Sequence, residues 1–162
     1  MTIRILVDAD ACPVKEEIYR VAGRRQVPVS VVSNSPFRVP VTSLIERVVV
    51  HGGFDAADDW IAERAALRQA QDERTVVVTG DILLADRCLK AGATVIAPTG
   101  RPFTRGSIGQ AIATRAIMAD LRAGVGEGIG GPAPFAKADR SRFLQTLDEA
   151  LVRLERSGSG PR

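Results

Sequence analysis

Histidine is almost missing from this 162-residue chain, with His51 alone. That absence removes the usual Ser-His-Asp and Cys-His triads and any His-rich metal site. Cysteine is nearly as scarce: Cys12 and Cys88 cannot build a disulfide framework or a four-ligand zinc site by themselves. Aromatic residues are thin, at five Phe, one Trp and one Tyr, so broad stacking platforms for single strands are not expected. No apolar run approaches the ~20 residues that span a bilayer. The opening Met1-Thr2-Ile3-Arg4 has no signal-peptide character, and a soluble, cytoplasmic protein is expected. Whatever chemistry the chain performs must rest on carboxylates, arginines, hydroxyls or one thiol.

What is present is ordinary globular material. Hydrophobic residues make up 45% and charged residues 25%, and a chain of this length buries about 70% of its unfolded surface. The net charge of +3 conceals a split. Residues 1–100 carry 12 basic against 13 acidic groups, and residues 101–162 carry 10 against 6. An acidic first part followed by a basic one suits a metal site facing an anionic substrate.

Short β-branched runs alternate with helical patterns. Strands are expected at Ile3–Val7, Val27–Val32, Arg47–Val50, Thr75–Val78 and Ala93–Ala97. A first helix is expected from Pro13, and others at Asp55–Ala70, Asp81–Lys90, Ser107–Ala123 and Asp139–Arg156. In the last of these, Phe143, Leu147, Ala150, Leu151 and Leu154 form one apolar stripe. The alternation argues for βαβ units, hence a three-layer α/β fold on a mainly parallel sheet of about five strands, with the C-terminal helices packed on it. One domain over residues 1–156 and a flexible tail over 157–162 are expected. Gly124–Ala138, with five glycines and two prolines, reads as a loop. Its Gly-x-Gly-x-Gly spacing follows a helix rather than a strand, so a dinucleotide site fails on context.

Open parallel sheets bind ligands beyond the carboxyl ends of their strands. Those ends hold Asp8-Ala9-Asp10, Ser33-Asn34-Ser35, the Gly52–Asp59 stretch and Thr79-Gly80-Asp81. Aspartates from three separate loops thus converge on one edge, where hard divalent cations, Mg²⁺ or Mn²⁺, would offset their mutual repulsion. Asp55 and Asp81 also read as helix N-caps. Asp8 and Asp10 resist that explanation, because an acid directly after a buried strand is desolvated. Asp8, Asp10, Asp58, Asp59 and Asp81 are therefore the candidate catalytic and metal-ligating residues. Arg38, Arg101 and Arg105, in loops on the same edge, are candidate phosphate contacts, with simple solvation the alternative. Arg115 interrupts the stripe Ile108, Ile112 and Ala119, and either snorkels to water, pairs with a carboxylate or holds a phosphate. Cys12 reads as a small residue buried at a helix start rather than a ligand or nucleophile, Cys88 as core, Trp60 as packing rather than a base-stacking platform, and His51 as surface or turn.

The stretch Ile5-Leu6-Val7-Asp8-Ala9-Asp10-Ala11-Cys12-Pro13-Val14-Lys15 resembles the opening of the YaiI/YqxD family of uncharacterised bacterial proteins. Asp55–Ile61, Val78–Ala85, Arg101 with Ile108–Arg115, and Gly131-Pro132 with Asp139 and Phe143 resemble its later motifs. The likeness runs from about residue 3 to 154. In layout it is similar to PIN-like domains, which are metal-dependent nucleases. The resemblance implies Asp8 as first-strand metal ligand, Asp58 or Asp59 as the acids at the central helix start, and Asp81 as the later strand-end aspartate. Asp10 and the following Cys-Pro depart from most PIN nucleases. The expected function is a Mg²⁺- or Mn²⁺-dependent phosphodiesterase acting on RNA or DNA. Asp8-Ala9-Asp10 also resembles the Asp-x-Asp of haloacid-dehalogenase-type phosphatases, with Asp8 as nucleophile. There the acidic pair follows a late strand, whereas Asp58-Asp59 precedes Val78-Thr79. A catalytically silent module that binds nucleic acid or protein is the third alternative.

Overall fold

The computed structural model describes residues 2–125 and 135–159. Six strands form one sheet in the order β3-β2-β1-β4-β5-β6. They are β1 Ile3–Asp8, β2 Val29–Ser33, β3 Ile45–Val49, β4 Arg74–Val78, β5 Thr94–Ile96 and β6 Pro102–Phe103. The first five are mutually parallel, as expected. The sixth, too short for a periodicity signal, pairs antiparallel with β5. A turn closed by Ala97 N–H donating to the Arg101 carbonyl links these two strands.

Helices cover both faces: α1 Lys15–Arg25, α2 Ala56–Ala70, α3 Ile82–Lys90, α4 Arg105–Val125 and α5 Lys137–Ser159. The two cores follow from strand alternation. Ile5 and Val7 of β1, with Val76 and Val78 of β4, pack with α1 and α5 around Phe143 and Leu147. Leu6 and Val77 point the other way, onto Ile61, Leu84 and Cys88 of α2 and α3 and Ile108 of α4. The expected α5 stripe is buried from Phe143 to Leu151, with Leu154 at its margin.

Several boundaries move for local reasons. After β1 the chain makes one 3-10 turn, Ala9–Ala11, so α1 starts at Lys15 and Pro13 lies before it rather than in its first turn. The cap of α4 is Thr104, not Ser107. Thr104 N–H donates to Ser107 Oγ at 3.2 Å and Ser107 N–H donates to Thr104 Oγ1 at 3.1 Å, a reciprocal box. Arg105 therefore opens α4 rather than sitting in a loop. α5 continues to Ser159, past the expected tail start at Ser157. Most of the glycine-rich stretch 124–138, with Gly131-Pro132, lies outside the described residues. Among the described residues no helix is long and apolar enough to cross a membrane.

Strand order is what positions the site. From central β1 the chain moves through β2 to β3 on one side, then returns to place β4 and β5 on the other. Connections thus diverge between β1 and β4, and at such a point the strand ends leave a crevice. Asp8 ends β1, and Thr79-Gly80-Asp81 follows β4 directly beside it.

Candidate active site

Asp8 closes β1 opposite Val32 of β2, half-buried. Thr79, 1% exposed just after β4, donates its hydroxyl to Asp8 Oδ2 at 2.8 Å. The same hydroxyl oxygen accepts the Asp81 backbone N–H at 3.0 Å. With its lone pair engaged there, the Thr79 proton is aimed at Asp8. Burial pushes the Asp8 carboxyl above its ordinary value, the Thr79 bond opposes this, and the charges of Asp10 and Asp81 add to the rise.

Asp81 is the N-cap of α3 that the sequence implies. Its Oδ1 accepts from Leu83 N–H at 2.9 Å and Leu84 N–H at 3.1 Å, which fixes the carboxylate at the strand edge. Asp58, in the first turn of α2, completes the group. Its carboxyl is pushed up to about 6, first by burial and then by the charges of Asp8, Asp81 and Asp55, with Arg87 opposing. Asp8, Asp58 and Asp81, from a strand end and two helix starts, thus lie within one another's electrostatic reach.

The remaining candidates have other partners. Asp10, exposed in the 3-10 turn, accepts the Ser33 hydroxyl and also the Asn34 N–H at 3.2 Å, so it is turned toward the end of β2. Asp59 is exposed and pairs with Arg87 at 2.9 Å. Asp55 occupies the N-cap position of α2, but its side chain makes no capping bond, contrary to the sequence reading. Arg38 and Arg101 are exposed in loops and Arg115 is exposed on α4. Arg105 reaches the Leu89 carbonyl at 3.5 Å. Among the described residues none of these four arginines pairs with a carboxylate. For Arg115 this removes the carboxylate pairing from its three alternatives and leaves the side chain exposed on α4.

Sequence reasoning did not select Thr79 or Ser33 as site residues. Their signal was available: each is a hydroxyl at the carboxyl end of an apolar strand run, the pattern that singled out Asp8. Cys12 is partly buried and its thiol is pushed up to about 11, mainly by burial, so it stays protonated and is a poor nucleophile. Cys88 is core, its thiol pushed up to about 12. Trp60 packs on the α2–α3 core with the Arg64 guanidinium 4.5 Å above its ring.

The donor chemistry fits a hard cation: oxygen ligands only, with Asp8 and Asp58 raised first by burial and then by neighbouring carboxylates. The spacing is open. Among the described residues no three carboxylate, thiol or imidazole side chains gather closely enough to cage an ion. Mg²⁺ commonly keeps several waters and takes one or two carboxylates, and this edge suits that mode rather than an all-protein cage.

Comparison with known proteins gives one answer throughout. The family model described as "Uncharacterized BCR, YaiI/YqxD family" matches residues 6–153. A "UPF0178 protein" of Sphingopyxis alaskensis is 72% identical over 152 residues, covering 94% of this chain and 95% of that one. Similar proteins occur in Nitrobacter winogradskyi, at 57% over 155 residues (96% and 94% covered). Another is found in Brucella ovis, at 57% over 158 residues (97% and 94% covered). With nearly the whole chain covered at these identities, the protein belongs to the YaiI/YqxD family.

Proposed function

We propose that this protein is a Mg²⁺- or Mn²⁺-dependent phosphodiesterase acting on RNA or DNA. One observation supports the reading: Asp8 ends β1, Asp81 follows neighbouring β4, and both lie close enough to Asp58 of α2 that their charges add to the rise that burial gives its carboxyl. Such repulsion costs stability unless a cation neutralises it. Asp8 and Asp81 would hold the metal, with waters completing its shell and Asp58 beside it. Asp10 would add its charge from the β2 side, and Asp59, engaged by Arg87, is left out. A bound ion supplies charge neutralisation at phosphate and a water of lowered pKa.

The chain's own residues do the rest. Thr79 fixes the Asp8 carboxylate by donating to Oδ2. The cap bonds of α3 hold Asp81 against rotation. Asp58, with its carboxyl near 6, holds or releases a proton close to neutral pH and is suited to exchange one with an attacking water or a leaving oxygen. Arg101, in the β5–β6 turn, and Arg105, opening α4, would supply positive charge to flanking phosphates. No histidine is needed.

Mn²⁺ is expected to raise the melting temperature of the wild type and to leave Asp8→Asn unmoved. Mn²⁺-dependent cleavage of a labelled oligonucleotide should fall at least a hundredfold in the same variant. Equal stabilisation of both proteins would sink the metal site, and stabilisation without cleavage would point to a silent binding module.

One observation favours a second reading, a phosphatase with Asp8 as nucleophile. Ser33, at the end of β2, donates to Asp10 of the Asp-x-Asp pair, and Asp81 lies after neighbouring β4. An Asp8 aspartyl-phosphate or fluoroberyllate adduct, detected by intact mass, would establish that chemistry in place of the nuclease.

A further inference from the structure

Phe54 is 93% exposed, in a protein with few aromatic rings to spare. It follows Gly52 and Gly53, whose φ values of +120° and +109° only glycine adopts readily, and nothing lies within 4 Å of where their side chains would be. The loop thus rises clear of the body before α2 begins. Both its ends are anchored: Val50 N–H donates to the Ser33 carbonyl at 2.9 Å, and Ala56 N–H donates to the Gly53 carbonyl at 3.2 Å. Phe54 precedes the α2 N-cap residue Asp55, the position from which an apolar side chain commonly packs on the fourth helical residue. Here that residue is Asp59, exposed and engaged by Arg87, so no such staple forms. Local folding therefore provides no packing role for this ring.

Its neighbours are the carboxylates of the proposed site. Phe54 is followed by Asp55 and then Asp58, and a second exposed apolar side chain, Leu83 at 45%, lies two residues beyond Asp81. An anionic membrane would be repelled by this edge. A nucleotide with its phosphate at the metal would instead bring a flat, uncharged base face beside the aspartates. Bases offer that face only where they are unpaired or terminal.

We propose that Phe54, raised on the Gly52-Gly53 loop, stacks on an unpaired base of the substrate, so that the site selects single-stranded over duplex nucleic acid. This inference rests on the nucleic-acid reading above. It assigns Phe54 to recognition rather than to catalysis.

The test measures binding of a fluorescein-labelled oligoadenylate, its duplex form and an abasic strand of equal length, by anisotropy with Ca²⁺ in place of Mg²⁺ or Mn²⁺, for wild type, Phe54→Ala, Phe54→Leu and Phe54→Trp. Phe54→Ala and Phe54→Leu should each weaken oligoadenylate binding about tenfold or more. Phe54→Trp should restore it, and affinity for the abasic strand should not move. Leucine binding as well as phenylalanine, equal losses on the abasic strand, a duplex held as tightly as the single strand, or a wild type that binds none of them would overturn the proposal. Mn²⁺-dependent cleavage by the wild type, assayed separately, reports on the phosphodiesterase reading. A Phe54 effect on binding without any cleavage would remove that reading and keep this one. Cleavage without a Phe54 effect would do the reverse.

Discussion

Thr79 shows how much of the site hangs on one hydroxyl. It accepts from Asp81 N–H and donates to Asp8, so it ties the end of β4 to the end of β1 and opposes the rise in the Asp8 pKa. Thr79→Val keeps the shape and removes both bonds. The Asp8 carboxyl should then titrate higher still, as followed by carboxyl ¹³C NMR. Stability should fall by about 1–3 kcal/mol in urea, because the Asp81 N–H and the Asp8 oxygen lose their partner. An Asp8 titration unchanged by the substitution would show that the hydroxyl does not govern it. The aspartates themselves were legible in the sequence, since an acid directly after a buried strand has few structural explanations. The hydroxyls carried a weaker signal: threonine is an ordinary strand residue and costs little to bury once bonded.

At the scale of elements, the amphipathic stripe of α5 and the alternating strands were legible because one periodic face must be buried. The short antiparallel β6 was not, having only Pro102 and Phe103. Nor was the docking of α5 against the β5–β6 turn, where Gly100 has a φ of +88° and a Cβ would come within 2.6 Å of the backbone at Arg142 and Phe143. Gly100→Ala is therefore expected to cost about 3 kcal/mol, combining a left-handed conformation with an overpacked helix contact. Urea denaturation of the variant checks this. A loss below about 1 kcal/mol would mean that α5 can shift away from the turn without penalty. Gly92, also at positive φ, would meet only the end of the flexible Gln69 side chain, so the close backbone approach sets Gly100 apart.

The whole molecule carries the electrostatic consequence. Asp58 titrates at about 6 in the folded protein against 3.8 unperturbed, and Asp8 is raised as well. Between about pH 4 and 6 the native state holds protons that the unfolded chain has released, so these groups make stability fall as pH rises through that window. Asp148 is shifted the opposite way by Arg25 and contributes stability that is lost on acidification. The difference between wild type and Asp58→Asn isolates the acidic edge. In EDTA, Asp58→Asn should be the more stable protein at neutral pH, with the advantage shrinking toward pH 4, as read from melting temperatures across the range. An advantage independent of pH would show that charge is not its source. The protein's mild overall charge of +3 conveys nothing of this local field.

Composition and periodicity alone determined the fold class, helices packed on a mainly parallel sheet, because that property depends on which residues recur and how often. They also marked the strand ends where acids gather. Only the tertiary structure decided which of those acids meet. Strand order placed β4 beside β1 and so brought Asp81 and Thr79 to Asp8. The entry of α2 brought Asp58 among them, while Arg87 drew Asp59 aside and Ser33 held Asp10 toward β2. Five aspartates equivalent in sequence thereby came to hold different places: Asp8, Asp58 and Asp81 share one field, Asp10 acts on Asp8 from the β2 side, and Asp59 is paired away. Coulomb interactions depend on separation in space, and chain order does not fix that separation until the sheet is assembled.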